Sequence, residues 1–301
     1  MGVMGRRIVY MGMGGIYSLI PLESLVEEGA QVTAVVFPRP RVDDKGPRWM
    51  PAAAQIPNDL QLVVRAAREN ILTLAGAQGI PVLEVGSMRD AATLAAIEEL
   101  QPDLVIVACF PQILPETMLK IPNIGCLNIH PSLLPAYRGP QPLFWQLRAG
   151  ELNMGVTVHW MDVGVDTGDI LGQVELRLAE GTRANEVDRV AAQAGADLIM
   201  KALKEDDWPR RPQGNEAASY QTAPRDIDRV IPTSWDVRRA FNFLRGAETW
   251  APFWIEAEDG KRIEVREAIG YRAAARLEHR VEARDGESWV QMKDGVLRVK
   301  A

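Results

Sequence analysis

The sequence has few of the residues that cross-link a fold or bind metal ions. Among its 301 residues, 2 are cysteine and 3 are histidine. These numbers exclude a framework of several disulfide bonds and give no cysteine-and-histidine pattern typical of a zinc site. Cys109 and Cys126 both lie in or beside apolar runs, where a thiol acts as a small hydrophobic side chain. We therefore expect neither a disulfide nor a bound metal.

Long apolar runs and a strong excess of one charge are also missing. No segment approaches the roughly 20 apolar residues of a membrane-spanning helix, and the first residues lack the apolar core of a signal peptide. The 34 basic and 40 acidic residues leave a formal net charge of -6. This balance argues against coating of nucleic acid through bulk charge. We expect a cytoplasmic protein with no membrane contact, and a local contact with RNA stays possible.

The apolar residues are arranged as short runs that alternate with segments of helical period. Strands are predicted at residues 8–10, 32–36, 81–83, 104–108, 125–130 and 155–160, with helices at 91–100 and 182–203. Continuously apolar strands that alternate with helices are typical of a parallel sheet covered on both faces. We predict the α/β class, with a Rossmann-like, mostly parallel sheet.

The chain is longer than a typical single domain, and its composition changes after residue 204. Residues 205–214 are polar and rich in proline and glycine, which indicates a linker. We predict a catalytic domain at 1–204, a linker at 205–218 and a small, mostly β domain at 219–301. This last domain would contain a helix at 235–245 and strands at 253–255, 262–265 and 295–299.

Asn128 and His130 form the most informative pair in the sequence. They lie two residues apart in a predicted strand, so both side chains project from the same face. Pro131 stops the strand, which places the imidazole near the strand's end. An amide donor beside a titratable imidazole suits stabilisation of an oxyanion and movement of a proton. His159 lacks such a turn and is interpreted as structural, and His279 as a surface residue.

A carboxylate to support this pair lies in a glycine-rich loop. Asp166 stands between Gly164 and Gly168, and it could hold the imidazole of His130 and raise its pKa. Asp162 and Asp169 lie in the same loop. From the residues alone the three carboxylates are nearly equal candidates.

The stretch from residue 125 to 170 resembles the 10-formyltetrahydrofolate-dependent formyltransferases, which share the Asn-x-His pair, the Ser-Leu-Leu-Pro turn and a later Asp-Thr-Gly loop. The resemblance implies that Asn128, His130 and Asp166 are the catalytic set. It also implies 10-formyltetrahydrofolate as the formyl donor, a primary amine as the acceptor and an open β-barrel as the C-terminal domain. Over the whole chain, the similarity is strongest to methionyl-tRNA formyltransferases and to formyltransferases of sugar amines.

The donor pocket is expected after the fourth apolar strand and in the aspartate loop. Apolar side chains and backbone groups there could bind a fused heterocycle, although a plain hydrophobic turn is the alternative. The resemblance implies that this segment lines the pterin pocket. The predicted donor-binding residues are Phe110, Gln112, Ile113, Leu114, Asp162, Val163 and Gly164.

The acceptor side is expected at the glycine-rich loop after the first strand and at the turn after His130. A dinucleotide fingerprint would require glycine at position 17, which is Tyr17, so NAD is not expected. A tight strand-to-helix turn is the alternative interpretation of this loop. The predicted acceptor-binding residues are Gly12, Gly14, Ser132, Leu133, Leu134, Pro135 and Arg138.

Two classes of acceptor are compatible with the sequence, a charged tRNA and a small amine. Chain length, the extra domain and the basic loop with Arg39, Arg41, Lys45 and Arg48 favour charged initiator tRNA. Pro131 and the Pro140-Gln141 pair depart from the usual pattern of methionyl-tRNA formyltransferases and favour a small amine, such as an amino sugar nucleotide or a hydroxyornithine-like amine. A dinucleotide-dependent oxidoreductase and a non-catalytic or hydrolytic folate-binding relative are weaker alternatives. The oligomeric state is not indicated.

Overall fold

The computed structural model of the chain describes residues 5–39, 46–50, 70–256, 260, 262–284 and 286–301. The chain divides into two compact units. Unit 1 comprises Met1–Arg138, Gly155–Glu175 and Asp188–Ala218, and unit 2 comprises Gly139–Met154, Leu176–Val187 and Ser219–Ala301. The predicted linker at 205–218 thus lies within unit 1, and two mid-chain segments belong to unit 2. The division at residues 204 and 219 stays a prediction.

The apolar runs form the strands of an eight-stranded sheet. Its strands are β1 (Arg7–Gly12), β2 (Gln31–Pro38), β3 (Arg48–Met50), β4 (Val82–Val85), β5 (Leu104–Ala108), β6 (Gly125–His130), β7 (Asn153–Trp160) and β8 (Ile170–Arg177). They lie in the order β3-β4-β2-β1-β5-β6-β7-β8. The five strands from β4 to β6 in this order pair in parallel, whereas β3 and β7 pair with their inner neighbours in antiparallel. Every residue of β5 is buried, as expected for a central parallel strand.

Helices cover both faces of this sheet. The helices in the described part of the chain are α1 (Ile16–Glu27), α2 (Ile71–Ala77), α3 (Ala91–Glu99), α4 (Glu116–Leu119), α5 (Pro142–Ala149), α6 (Ala184–Glu205) and α7 (Val237–Gly246). On one face, Ile97 of α3 and Met118 of α4 join the core formed by β1, β2, β4 and β5. On the other face, Ile20 of α1 packs against two alanines of α6. The backbone of α6 approaches β6 so closely at Gly195 that an added Cβ would lie 2.2 Å from Cγ2 of Ile129.

Unit 2 carries two small sheets around an aromatic core. A three-stranded sheet contains β9 (Val230–Pro232), β10 (Phe253–Glu256) and β11 (Arg262–Val265), and a four-stranded antiparallel sheet contains β12 (Glu267–Ala273), β13 (Val281–Arg284), β14 (Glu287–Gln291) and β15 (Gly295–Lys300). Phe243 of α7 packs edge-on against Phe144 and Phe253, each with ring centroids 5.2 Å away. The predicted fold class, a mostly parallel α/β sheet followed by a small β-rich C-terminal part, is confirmed.

The direction of β7 could not be predicted from its apolar pattern. It runs antiparallel to β6, with Asn128 opposite His159 and Leu127 opposite Trp160. The loop after Trp160 therefore starts beside the first half of β6, at the end away from His130. It must turn back along β6 before any of its residues can approach His130.

No helix in the described part of the chain is both long enough and apolar enough to cross a membrane.

One carboxylate of α6 is partly buried in unit 1. Burial raises the pKa of Asp188 to about 6. Burial is also the largest cause of the raised pKa of Tyr17, and the charge of Asp188 contributes to it. The hydroxyl of Tyr17 in turn donates a hydrogen bond to the carbonyl of Ile129, 3.3 Å away. Asp188 therefore makes the stability of unit 1 depend on pH.

We expect Asp188→Asn to stabilise the protein above pH 6 and to have little effect below pH 4. Because the folded pKa of about 6 exceeds the unfolded value of about 4, the folded parent binds the extra proton, and its stability falls as pH rises between these values. The variant avoids that loss, which corresponds to about 1 to 3 kcal/mol. Thermal unfolding of parent and variant at pH 4 and pH 7.5 measures the difference in stability between them at each pH.

Asp197→Asn, at an exposed position of the same helix, is the matched control. Equal changes with pH in the two variants would show that loss of a carboxylate from α6, and not burial of Asp188, is responsible.

Candidate active site

Strand β6 presents Asn128 and His130 on one face, and the backbone after the strand selects the tautomer of the histidine. His130 is buried, with 4% of its surface exposed. Its Nε2 lies 2.9 Å from the carbonyl oxygen of Tyr137. A carbonyl can only accept, so Nε2 carries the hydrogen and, in the neutral ring, Nδ1 carries the lone pair. Nδ1 is therefore the atom of this imidazole that can take up a proton.

Asp166 is the loop carboxylate that faces this imidazole. Its Oδ2 lies 3.7 Å from Nδ1 of His130, and its Oδ1 lies 3.5 Å from Nδ2 of Asn128. Asp162 instead accepts hydrogen bonds within the loop, from the backbone of Gly164 and the hydroxyl of Thr167, at 3.1 and 2.7 Å. The structure thus brings together Asn128, His130 and Asp166, and it distinguishes carboxylates that the sequence left nearly tied.

His159 lies in the same cluster, where the sequence had indicated only a structural histidine. Its Nδ1 lies 2.9 Å from the carbonyl oxygen of Trp160 and must donate to it, so in the neutral ring Nε2 is an acceptor. This Nε2 is 3.1 Å from Nδ2 of Asn128 and 3.5 Å from Oδ1 of Asp166. The only signal that could have revealed the contact is the pairing of β7 with β6, because Asn128 and His159 are cross-strand partners.

The amide of Asn128 is oriented by these acceptors. One hydrogen on Nδ2 serves His159 at 3.1 Å. The other faces Oδ1 of Asp166 at 3.5 Å, a distance at which a hydrogen bond is weak. This second hydrogen is the one that an oxygen atom of a substrate can take.

The pKa of His130 lies below its ordinary value of 6.5. Burial of the imidazole is the largest cause, and it outweighs the opposing effect of Asp166; His159 lowers the pKa further, and the hydrogen bond to Tyr137 raises it. Asp166 thus raises the pKa of His130 as expected from its position, but burial has the larger effect. His130 is therefore neutral near pH 7, and its Nδ1 can accept a proton.

The predicted donor-binding residues divide into buried supports and exposed apolar groups. Gln112 accepts a hydrogen bond from the backbone of Met88 at 2.9 Å and donates one to the carbonyl of Gly86 at 3.3 Å. Leu114 is buried, and Phe110 packs against the same core. Ile113 and Val163 are 62% and 70% exposed. Asp162 and Gly164 are also exposed, in the loop that carries Asp166.

Most of the predicted acceptor-binding residues make contacts inside the protein. Gly12 is buried at the end of β1, and Gly14 is exposed just beyond it. The hydroxyl of the buried Ser132 donates to the carbonyl of Ala136 at 2.7 Å, and Arg138 is only 3% exposed. The turn residues Leu133, Leu134 and Pro135 lie between them, partly or fully buried. Their roles toward a substrate stay predictions.

The basic loop after β2 is described only in part. Arg39 donates to the carbonyl of Gly46 at 3.3 Å, and Arg48 begins β3 opposite Glu84. Arg41 and Lys45 lie outside the described residues. Among the residues that are described, no group of three or more histidine, cysteine and acidic side chains is arranged to hold a metal ion.

Comparison with known proteins gives one consistent family. A family model described as formyl transferase matches residues 24–203. The methionyl-tRNA formyltransferase of Syntrophus aciditrophicus is 35% identical to this chain over 283 residues, which covers 93% of this chain and 83% of the relative.

Solved structures share the fold at lower sequence identity. WlaRD, a sugar 3N-formyl transferase crystallised in the presence of dTDP and 5-N-formyl-THF, matches 98% of this chain and 96% of its own with a TM-score of 0.65 at 17% identity. HypX from Aquifex aeolicus in complex with tetrahydrofolic acid matches 98% of this chain and 43% of its own with a TM-score of 0.64, also at 17% identity. The formyl transferase model matches more than half of the chain, and the relative from Syntrophus aciditrophicus is 35% identical over 93% of it. The chain therefore belongs to the formyl transferase family.

Proposed function

We propose that this enzyme transfers a formyl group from 10-formyltetrahydrofolate to the methionyl amino group of charged initiator tRNA. The observation that carries the proposal is the cluster of Asn128, His130 and Asp166, in which an amide, an imidazole and a carboxylate converge within 3.7 Å contacts. Family membership supplies the reaction class. The acceptor is inferred from the name of the relative that is 35% identical to this chain.

The residues of unit 1 suit a folate donor. Ile113 and Val163 expose most of their apolar surface on two segments that the sequence assigns to the donor pocket. Val165, one residue before Asp166, is 42% exposed. Exposed aliphatic side chains beside backbone hydrogen-bonding groups can hold a fused heterocycle, so these residues would bind the pterin ring. The bound donor supplies the formyl group that the amine attacks.

In the proposed mechanism His130 moves the proton, and Asp166 and Asn128 stabilise the charges that develop. Neutral His130 takes the proton of the attacking amine on Nδ1, since Nε2 is engaged by Tyr137. Asp166 then faces a cationic ring 3.7 Å away and stabilises it. The second N–H of Asn128 makes a hydrogen bond to the formyl oxygen as negative charge develops there. When the bond between the formyl carbon and the folate nitrogen then breaks, the proton held on His130 passes to that nitrogen, directly or through water, and tetrahydrofolate leaves. One such donor typically contributes a factor of about 10² to 10³ in rate.

A small amine is the second candidate acceptor, favoured by one local feature of the sequence. Pro131 follows His130, and the Pro140-Gln141 pair follows Gly139, where methionyl-tRNA formyltransferases usually differ. This form of the turn resembles that of formyltransferases acting on sugar amines. An amino sugar nucleotide would present a compact amine and require few contacts to phosphate.

We expect Asn128→Ala and His130→Ala each to lower kcat by at least about a hundredfold with little change in affinity for the folate, because both side chains act mainly in the transition state. Release of tetrahydrofolate gives kcat, and equilibrium titration with the folate gives affinity. His279→Ala, an exposed histidine of unit 2, controls for loss of an imidazole far along the chain.

Two substitutions of His159 test whether it orients Asn128 or itself carries a proton. His159→Gln retains a hydrogen-bond acceptor for Asn128, and we expect it to keep more activity than His159→Leu, which has none. Near-normal turnover in a folded His130→Ala variant would refute the assigned role of His130. A greater loss in His159→Gln than in His130→Ala would show that His159 is the proton carrier.

The dependence of acceptor binding on salt distinguishes the two acceptors. Binding of an RNA through several of its phosphates should weaken with a log-log salt slope of about -0.7 to -0.9 per neutralised phosphate, whereas a small amine with few phosphates should show a far shallower slope. The Michaelis constants for charged initiator tRNA and for amino sugar nucleotides, measured from 50 to 300 mM potassium chloride, provide the comparison.

Removing charge from the loop after β2 localises the RNA contact. Joint replacement of Arg39, Arg41, Lys45 and Arg48 by glutamine should raise the Michaelis constant for tRNA and leave that for the folate unchanged, because fewer phosphates are neutralised. Unchanged kinetics in this quadruple variant would place the tRNA contact elsewhere. Failure of the parent enzyme to formylate charged tRNA, with activity on a small amine, would establish the second candidate.

A further inference from the structure

Part of the segment interpreted as a linker is packed along the loop that carries Asp166. We call residues 208–213 the strap. The ring of Trp208 packs against that of Trp160 with centroids 6.3 Å apart, and the carbonyl of Pro209 accepts a hydrogen bond from Nε1 of Trp160 at 3.0 Å. The guanidinium of Arg210 lies 3.7 Å from the centre of the same indole. These contacts fasten the strap to the residue at which the loop begins.

The strap is also fastened where the loop ends. Arg211 and Ile170 exchange two backbone hydrogen bonds, of 2.8 and 3.1 Å, in an antiparallel bridge. Both ends of the loop between Trp160 and Ile170 therefore touch the strap.

Gln213 ties the strap to the loop's interior. Its Nε2 donates to the carbonyl oxygens of Asp166 and Gly168, at 2.9 and 2.7 Å. Its Oε1 accepts from Nε and Nη2 of Arg138, at 3.1 and 2.7 Å. Arg138 is 3% exposed. The whole hydrogen-bonding capacity of this amide is thus used, two bonds through nitrogen and two through oxygen.

The backbone that Gln213 holds is unusual. Asp166 has φ 54°, in the left-handed region that few residues other than glycine, asparagine and aspartate adopt. Such a conformation persists at a functional site only where its surroundings hold it. Gly168 fits so tightly that an added Cβ would lie 1.9 Å from the carbonyl oxygen of Trp160. The loop is thus pressed against Trp160 at one residue and held by Gln213 at two carbonyls.

We propose that Gln213 is a positioning residue, whose amide holds Asp166 in the left-handed conformation that directs its carboxylate to His130, while buried Arg138 anchors Gln213 itself. The inference rests on the proposed catalytic role of Asp166. The strap then belongs to the active-site machinery and is not a passive connection. Gln213 touches no reacting atom and acts only through the loop.

The variant that tests this is Gln213→Glu, which has almost the same shape. The carboxylate keeps two acceptor oxygens for Arg138, so the anchor survives. It loses both N–H donors and turns an oxygen toward the carbonyls of Asp166 and Gly168. The loop is released from Gln213 while the strap keeps its other contacts, which separates positioning from a general structural role.

We expect Gln213→Glu to lower kcat at least tenfold and to change the Michaelis constants less than threefold. In an Asp166→Asn background the same substitution should cause little further loss, because two residues that act through one carboxylate are not additive. Gln193→Glu, on the exposed surface of α6, is the control for the same chemical change. Normal kcat in Gln213→Glu, or a full further loss beside Asp166→Asn, would overturn the proposal.

A second measurement does not depend on turnover. With 3 histidines in the chain, proton NMR can follow each imidazole through a pH titration. Asp166 opposes the lowering of the pKa of His130, so a displaced carboxylate should move that pKa further down in Gln213→Met, which removes both N–H donors without adding a negative charge. An unchanged pKa would refute positioning by Gln213 even if no acceptor has been identified. Failure of the proposed function appears separately, as absence of formyl transfer by the parent enzyme to any amine.

Discussion

The candidate active site depends on one antiparallel strand pair, β6 and β7, in a mostly parallel sheet. Because β7 runs against β6, His159 stands opposite Asn128 and takes one of its amide hydrogens. The same pairing starts the following loop at the far end of β6, so the loop must return along the strand to deliver Asp166. Had β7 run parallel, its end would have met His130 directly, and neither contact would arise in this form.

Burial and charge act in opposite directions on the central imidazole, and burial is the larger effect. A mostly desolvated ring resists protonation, and the carboxylate of Asp166 at 3.7 Å recovers only part of that cost. The result is a neutral histidine with its lone pair on Nδ1, because the Tyr137 carbonyl claims the hydrogen on Nε2. A base that is uncharged at rest and acquires a carboxylate partner once protonated suits removal of a proton from an amine during attack.

The loop that carries Asp166 is ordered by residues distant in sequence. Asp162 bonds within the loop, Gly168 closes onto Trp160, and Gln213 holds two carbonyls from a segment that is polar and rich in breakers. The polar, proline- and glycine-rich composition of residues 205–214 is the reason that a linker was predicted at 205–218. Proline and glycine disfavour regular secondary structure, but they do not prevent backbone and side-chain hydrogen bonds to a neighbouring loop. Local chemistry therefore identified where helices and strands end and could not identify what the irregular segments touch.

The sequence by itself determined the class of sheet and identified Asn128, His130 and Asp166 as candidate site residues. Continuous apolar runs specified β5 and β6, and their alternation with helical segments specified the parallel class, because these are local consequences of residue period. Alternation along β6 likewise placed Asn128 and His130 on one face, and the family motif selected Asp166 among three carboxylates. Only the tertiary structure decided that His159 joins them, that burial lowers the pKa of His130, and that Arg138 is buried against Gln213. Each of these depends on strand pairing or on contacts between residues tens of positions apart. A local sequence pattern specifies neither.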